Sequence, residues 1–260
     1  HVSDYENAIT ENTKLITKVH TSNYRIVGFT ATPRVAELAE VAKQNGVLLY
    51  EDAGSGALID LSEYGLRDEP LIAESIAAGA DVITFSGDKL LGGTQAGMVV
   101  GKAEVIARIR KHPFYRALRV SKLIYAALES TLEAFRRESA LDEIPVLKMI
   151  SASEDDLRER ATNFANKIQG EIGETSNLKI EVEEGKSVIG GGSAPTVQPK
   201  TTLVSLRHTE MSASQLEAEL RSATPTVVGR VLDEKLLLDL RTVSEEEESE
   251  LAVILVNLAS

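Results

Sequence analysis

The chain has 260 residues, 43% of them hydrophobic and 26% charged, the balance of a globular protein with a core to bury. Its formal charge of −12 repels phosphate backbones unless the basic residues are gathered in one place. Cysteine is absent, which excludes disulfides and thiolate metal sites and fits a cytoplasmic protein; no apolar run approaches the roughly 20 residues that span a bilayer.

The chain opens at His1 without a methionine and enters an apolar run near Leu15, so we expect it to begin inside a longer protein. Lys14 to His20 reads as a short strand, and Arg25 to Thr30 as an apolar segment ending in a loop. Thr32-Pro33 opens a helix to about Asn45, with Val35, Leu38, Ala39 and Ala42 on one face and Gly46 after it. Val47 to Tyr50 and Asp81 to Phe85 are short aliphatic runs, as in strands buried on both faces of a parallel sheet. A helix over Leu71–Ala78 lies between them, and Gly97 to Val100 gives one more strand. Strands alternating with helices argue for an α/β layer whose ligands sit beyond the carboxyl ends of the strands.

The pattern from Ala103 to Arg137 is helical and charged. Ser153 with Glu154, Asp155 and Asp156 caps a further helix. Leu178–Val182, Thr202–Leu206 and Val227–Leu240 read as strands, Ser212–Ala223 as a helix, and Ser244–Leu258 as a helix capped by Ser244. This half reads as a smaller α+β domain. The expected division is 1–135 and 136–260, within a long connecting helix.

Three residues with chemical potential fall at or just past strand ends: His20, Asp52 and Lys89. A lysine on a partly buried rim is costly to keep charged, and a desolvated amine forms Schiff bases. Gly87, Gly92 and Gly93 let backbone approach a ring or a phosphate, and Ser86 places a hydroxyl where a phosphate could sit. Asp52, at the end of the preceding strand, suits the ring nitrogen of pyridoxal 5'-phosphate (PLP), which acts as an electron sink when protonated. The competing readings are a surface lysine in a glycine turn and a loop acid. Ser22 or Asn23 could bond the phenolic oxygen of the cofactor, and His20 could stack on the ring, move a proton or be structural.

Arg116 and Arg119, three apart on an expected helix, share a face and could bind an oxyanion, with Lys111 and Lys122 nearby; the alternative is a solvated face. Gly190-Gly191-Gly192-Ser193 could form an anion nest or an ordinary loop. Arg230 and Arg241 bracket an expected hairpin, where an inward arginine could hold a substrate carboxylate and an outward one is an edge charge.

The runs KVHTSNYRIVGFT, YEDAGSGALIDLSEYGL, TFSGDKLLGGTQAGMVVGK, HPFYRALRVSKL and DLRTV together resemble bacterial selenocysteine synthases, the L-seryl-tRNA(Sec) selenium transferases, over nearly the whole chain. The resemblance implies a fold-type I PLP-dependent large domain, here incomplete and built on a mostly parallel sheet, followed by a smaller α+β domain. It implies a cytoplasmic homo-oligomer, a decamer in full-length members, that converts seryl-tRNA(Sec) to selenocysteinyl-tRNA(Sec) with selenophosphate. By motif, Lys89 would be the Schiff-base lysine and Asp52 the partner of the pyridine nitrogen. Asp88 would assist catalysis, and Arg116 and Arg119 would bind the selenium donor. The family more often has proline at Thr94 and an acid at Ser121. The N-terminal tRNA-binding domain and first part of the large domain of family members have no counterpart in this chain. Two other readings stay open: a related PLP lyase acting on a small amino acid or amino sugar, and a scaffold without activity.

Overall fold

A computed structural model of the chain describes residues 1–24, 26, 28–173, 175–190 and 192–259. Gly191 of the glycine run, and Arg25 and Val27 of the segment expected to end in a loop, lie outside the described residues. The aliphatic runs become β1 (Leu15–Val19), β2 (Leu48–Gly54) and β3 (Val82–Ser86), parallel and adjacent in that order. β4 (Gly97–Gly101) joins β3 antiparallel, so the sheet is mostly parallel. Only residues 87–96 separate the two, shorter than the dozen or so residues that a parallel crossover takes.

One side of these strands is covered by helices α1 (Val2–Ala8), α2 (Val35–Gln44) and α3 (Ile72–Ala77). Leu38, Val41 and Ala42 of α2 and Ile72 of α3 pack with Ile16, Leu49, Ala53 and Ile83. The strand residues alternate, as one face of a pleated sheet requires. Asp81 ties the strand entrances together. Its N–H donates to Leu49 O (2.8 Å), its carboxylate accepts the Leu49 N–H (2.7 Å), and Lys102 pairs with it at 2.5 Å. That hydrogen bond, with the charge of Asp81, raises the Lys102 pKa. Asp81→Ala should strand the Leu49 N–H inside the sheet and cost about 2 kcal/mol, read as a lower urea midpoint at unchanged slope.

The helical stretch that follows is broken into α4 (Ala103–Lys111), α5 (Pro113–Ala117), α6 (Lys122–Arg136), α7 (Ala140–Glu143) and α8 (Pro145–Ser151). The long connecting helix is therefore interrupted: α6 stops at Arg136, and Glu138 takes a φ of 59°. Ile144, Leu147 and Ile150 are buried with Leu61, Leu66 and Leu90. The chain divides into two compact units, residues 1–150 with 189–197, and residues 151–188 with 198–260. The expected boundary at 135/136 falls inside the first unit, since the side chains of 144–150 belong to its core.

The second unit is α9 (Glu154–Ile172), β5 (Leu178–Lys186), β6 (Lys200–His208), α10 (Ala213–Ser222), β7 (Arg230–Leu232), β8 (Lys235–Asp239) and α11 (Glu248–Leu258). Its sheet runs β5-β6-β8-β7, all antiparallel. Phe164 and Ile168 of α9, Leu216 and Leu220 of α10, and Leu255 of α11 cover Leu206, Leu236 and Leu238. Ser153 caps α9 by accepting from Asp156 N at 3.0 Å. Ser244 does not cap α11, which begins only at Glu248; Ser244 instead forms a turn with Glu247, whose carboxylate accepts its N–H at 3.0 Å.

Candidate active site

Lys89 is placed by its neighbours. β3 ends at Ser86, and the turn closes by Gly87 N–H to Ala96 O (2.9 Å) and Gly93 N–H to Gly87 O (2.8 Å). Leu90 and Leu91 are buried and Leu90 N–H donates to Ser55 O, so the backbone on the far side of Lys89 is fixed as well. The amine reaches Ser22, whose hydroxyl lies 3.4 Å from Nζ. Gly192 lies against the stem with φ +90°, where a Cβ would come 3.2 Å from Lys89 Cε. The neighbouring glycines serve the protein's own packing: a Cβ at Gly87 would meet Thr94 O at 2.6 Å, and one at Gly92 would meet Ile144 Cγ2 at 2.2 Å.

Asp52 lies near the end of β2, in register with Val19. Its carbonyl accepts the His20 N–H at 2.8 Å. Its Oδ1 accepts Gly54 N–H at 3.2 Å and lies 3.5 Å from Thr84 Oγ1, which meets the Tyr50 hydroxyl at 2.7 Å. Among the described residues Oδ2 makes no hydrogen bond and no cation pairs with this half-buried carboxylate.

The residue that sequence reading missed is Glu69. Its side chain is 6% exposed and collects three donors from three segments. Oε2 accepts the Ser55 hydroxyl at 2.5 Å and lies 3.4 Å from His20 Nε2, while Oε1 accepts Ala194 N–H at 3.0 Å. Burial raises its pKa, but hydrogen bonds from His20 and Ser55, the charge of His20 and the Ala194 N–H outweigh this, and the net shift is downward. A depressed folded-state value stabilises the fold above the ordinary carboxyl pKa, and this contribution disappears as pH falls through the folded value. Glu69→Gln should therefore flatten the loss of stability below about pH 4.5, seen in acid denaturation curves. In sequence Glu69 is one acid of an Arg67-Asp68-Glu69-Pro70 loop, with nothing to mark it as buried.

The other expected residues divide. Asp88 is exposed and lines, with Lys89 and Ser193, a small cavity of about 280 Å³; Ser193 Oγ is buried there without a hydrogen bond. Ser86 ends β3 and Asn23 is exposed in the turn after β1. Arg116 and Arg119 do not share one helix, because α5 ends at Ala117 and Ser121 caps the next helix by accepting Ile124 N–H. Both are exposed, and their guanidinium groups have no protein partner among the described residues. Arg119 borders an apolar groove of about 1390 Å³ lined by Tyr50, Val82, Met98, Tyr115 and Leu132. Arg230 and Arg241 belong to the second unit. Arg230 is exposed and donates to Lys186 O at 3.2 Å. Arg241 is buried: Nε donates to Ser187 Oγ (3.0 Å), Nη1 to Ala152 O (3.0 Å) and Nη2 to Lys200 O (2.7 Å). These three bonds lie within its own unit. Among the described residues no group of three or more His, Cys, Asp or Glu could hold a metal ion, and no helix is long and apolar enough to cross a membrane.

Residues 1–244 match the family model described as SelA, L-seryl-tRNA selenium transferase. An L-seryl-tRNA(Sec) selenium transferase of Alkaliphilus metalliredigens is 45% identical over 248 residues, 95% of this chain and 52% of that protein. One from Geobacter metallireducens is 44% identical over 260 residues, 100% of this chain and 56% of that protein. The chain thus spans about half the length of the curated relatives it matches. Among solved structures, a D-glucosaminate-6-phosphate ammonia-lyase superposes with a TM-score of 0.60 at 18% identity, covering 100% of this chain and 62% of that one. The fold is the α/β fold-type I class that the sequence resemblance implied, with a mixed sheet and a separate antiparallel one. The chain belongs to the L-seryl-tRNA selenium transferase family.

Proposed function

We propose that this chain carries the PLP site of an enzyme that makes selenocysteinyl-tRNA(Sec) from seryl-tRNA(Sec) and selenophosphate. The observation that carries the reading is the pairing on one rim of a lysine amine that, among the described residues, meets only a serine hydroxyl with a half-buried carboxylate that there has one oxygen unbonded and no cation. These groups fit the cofactor. Lys89 would hold its carbonyl carbon, Asp52 its pyridine nitrogen, Ser86 its phosphate, Ser22 or Asn23 its phenolic oxygen, and His20 the ring face. When bound, the cofactor supplies an electron sink for charge developing at the seryl α-carbon. Asp52 keeps the ring nitrogen protonated by presenting a carboxylate to it. Lys89, once released, takes the α-proton as general base, with Asp88 beside it. The seryl hydroxyl would leave the β-carbon as water with that proton; selenium from selenophosphate would then bond to the β-carbon as Lys89 returns a proton to the α-carbon, and hydrolysis of the P–Se bond would release phosphate. Arg116 and Arg119, whose guanidinium groups have no partner among the described residues, hold the anionic selenium donor, and Gly192 and Ser193 border the substrate. Gly191, between Gly190 and Gly192 in sequence, is assigned to the same border by motif alone.

The resemblance extends the proposal to a cytoplasmic homo-oligomer, which sedimentation of the whole protein reads directly. The deciding experiment supplies the whole protein with PLP, seryl-tRNA(Sec) and selenophosphate and measures selenocysteinyl-tRNA(Sec). Turnover of free amino acids or amino sugars without tRNA would move the assignment to a PLP lyase. Assembly without any cofactor binding would make the chain a scaffold.

A further inference from the structure

Glu69 has no part in the chemistry just described, yet it is buried where three rim segments meet. His20 follows β1, Ser55 follows β2, and Ala194 lies in the 189–197 segment that leaves the second unit's sequence to join the first unit. We propose that Glu69 is a positioning residue of the Lys89 site: one carboxylate oxygen holds the His20 ring with its proton on Nε2, and the other ties the 189–197 segment down through Ala194.

The first half follows from hydrogen-bond chemistry. An ionised carboxylate only accepts, so a buried ring nitrogen 3.4 Å from Glu69 Oε2 must carry a proton; two facing lone pairs would repel. Among the described residues His20 Nε2 makes no hydrogen bond of good geometry, and the Glu69 carboxylate 3.4 Å away is its ion-pair partner, which leaves Glu69 to decide the tautomer and makes Nδ1 the ring nitrogen not committed to it. The effect passes to the lysine through a short turn. Ser22 N–H donates to His20 O at 2.9 Å, and Ser22 Oγ is the group 3.4 Å from Lys89 Nζ. The second half is geometric. Only Ser193 separates Ala194 from Gly192, the residue against the Lys89 stem, so the bond from Ala194 N–H to Glu69 Oε1 fixes that contact. One buried carboxylate thereby sets the surroundings of Lys89 from its Ser22 side and its Gly192 side.

This inference rests on the PLP reading for its relevance to catalysis, but its test needs no cofactor, so the two fail separately. The chain is labelled with 15N-histidine, and His20 is assigned among the four histidines by its loss in His20→Asn. In the wild type at neutral pH, Nε2 should appear protonated. In Glu69→Gln the side-chain oxygen is retained by Ala194 N–H, so the amide N–H faces His20, which must answer with a lone pair: Nε2 should appear unprotonated. Hydrogen exchange across 189–197 should stay near the wild-type rate in Glu69→Gln and quicken roughly tenfold in Glu69→Ala, the loss of one buried hydrogen bond. An unprotonated Nε2 in the wild type overturns the proposal without any variant. So does an Nε2 that remains protonated in Glu69→Gln, and exchange unchanged in Glu69→Ala removes the tether.

Discussion

Lys89→Ala should abolish the visible absorbance band that PLP gives on binding, and borohydride should leave no cofactor on the denatured protein. The amine is the protein nucleophile of the proposed chemistry, and it is also the base that takes the α-proton. Removing it eliminates the covalent link and the proton transfer together, so turnover by the whole protein should fall by a factor on the order of 10⁴ or more. Lys89→Arg sharpens the reading, because it keeps the positive charge beside Ser22 and loses the nucleophile. It should be as dead as the alanine variant. A band that survives either substitution would place the cofactor elsewhere.

Arg241→Met should lower the stability of the second unit by roughly 3 kcal/mol and leave the cofactor band intact. Methionine fills the aliphatic stem but deletes the guanidinium. The buried Ser187 hydroxyl and the partly buried carbonyls of Ala152 and Lys200 would lose this donor, and Asp239 would lose a neighbouring positive charge while still accepting from the hydroxyls of Ser187 and Thr201. Burial lowers the Arg241 pKa and Asp239 partly offsets this, which fits a cation held in place by its own domain. Thermal melting read alongside the absorbance band separates the outcomes. An unchanged melting temperature would mean that the network contributes nothing.

What sequence alone could reach depended on the distance over which each feature is decided. The strand cores and their order along the chain are local: four or five aliphatic residues ending in Asp52 or Lys89 state both the element and its chemical rim. The direction of β4 was open because it depends on the length of a turn whose ends sequence does not locate. Arg116 and Arg119 were misjudged as helix neighbours because the break at Leu118 is set by the cap of the following helix, not by a proline or glycine. Glu69 and Arg241 were beyond reach for a common reason. Glu69 lies in a polar loop and Arg241 just past an aliphatic strand, and partners 14 to 125 residues away (Glu69) or 41 to 89 away (Arg241) decide that these charges are buried. Gly192 is intermediate: the glycine run was visible, but its contact with Lys89 was not.

The hydrogen bond from Ala194 to Glu69 joins residues 125 apart in sequence, and this orders events during synthesis. At about 5–20 residues per second, the ribosome delivers Ala194 on the order of ten seconds after Glu69. The strands that carry Asp52 and Lys89 are all available well before that. Throughout the interval the lysine lacks its Gly192 wall, so the rim is the last part of its own unit to be finished, long after the sheet beneath it can collapse.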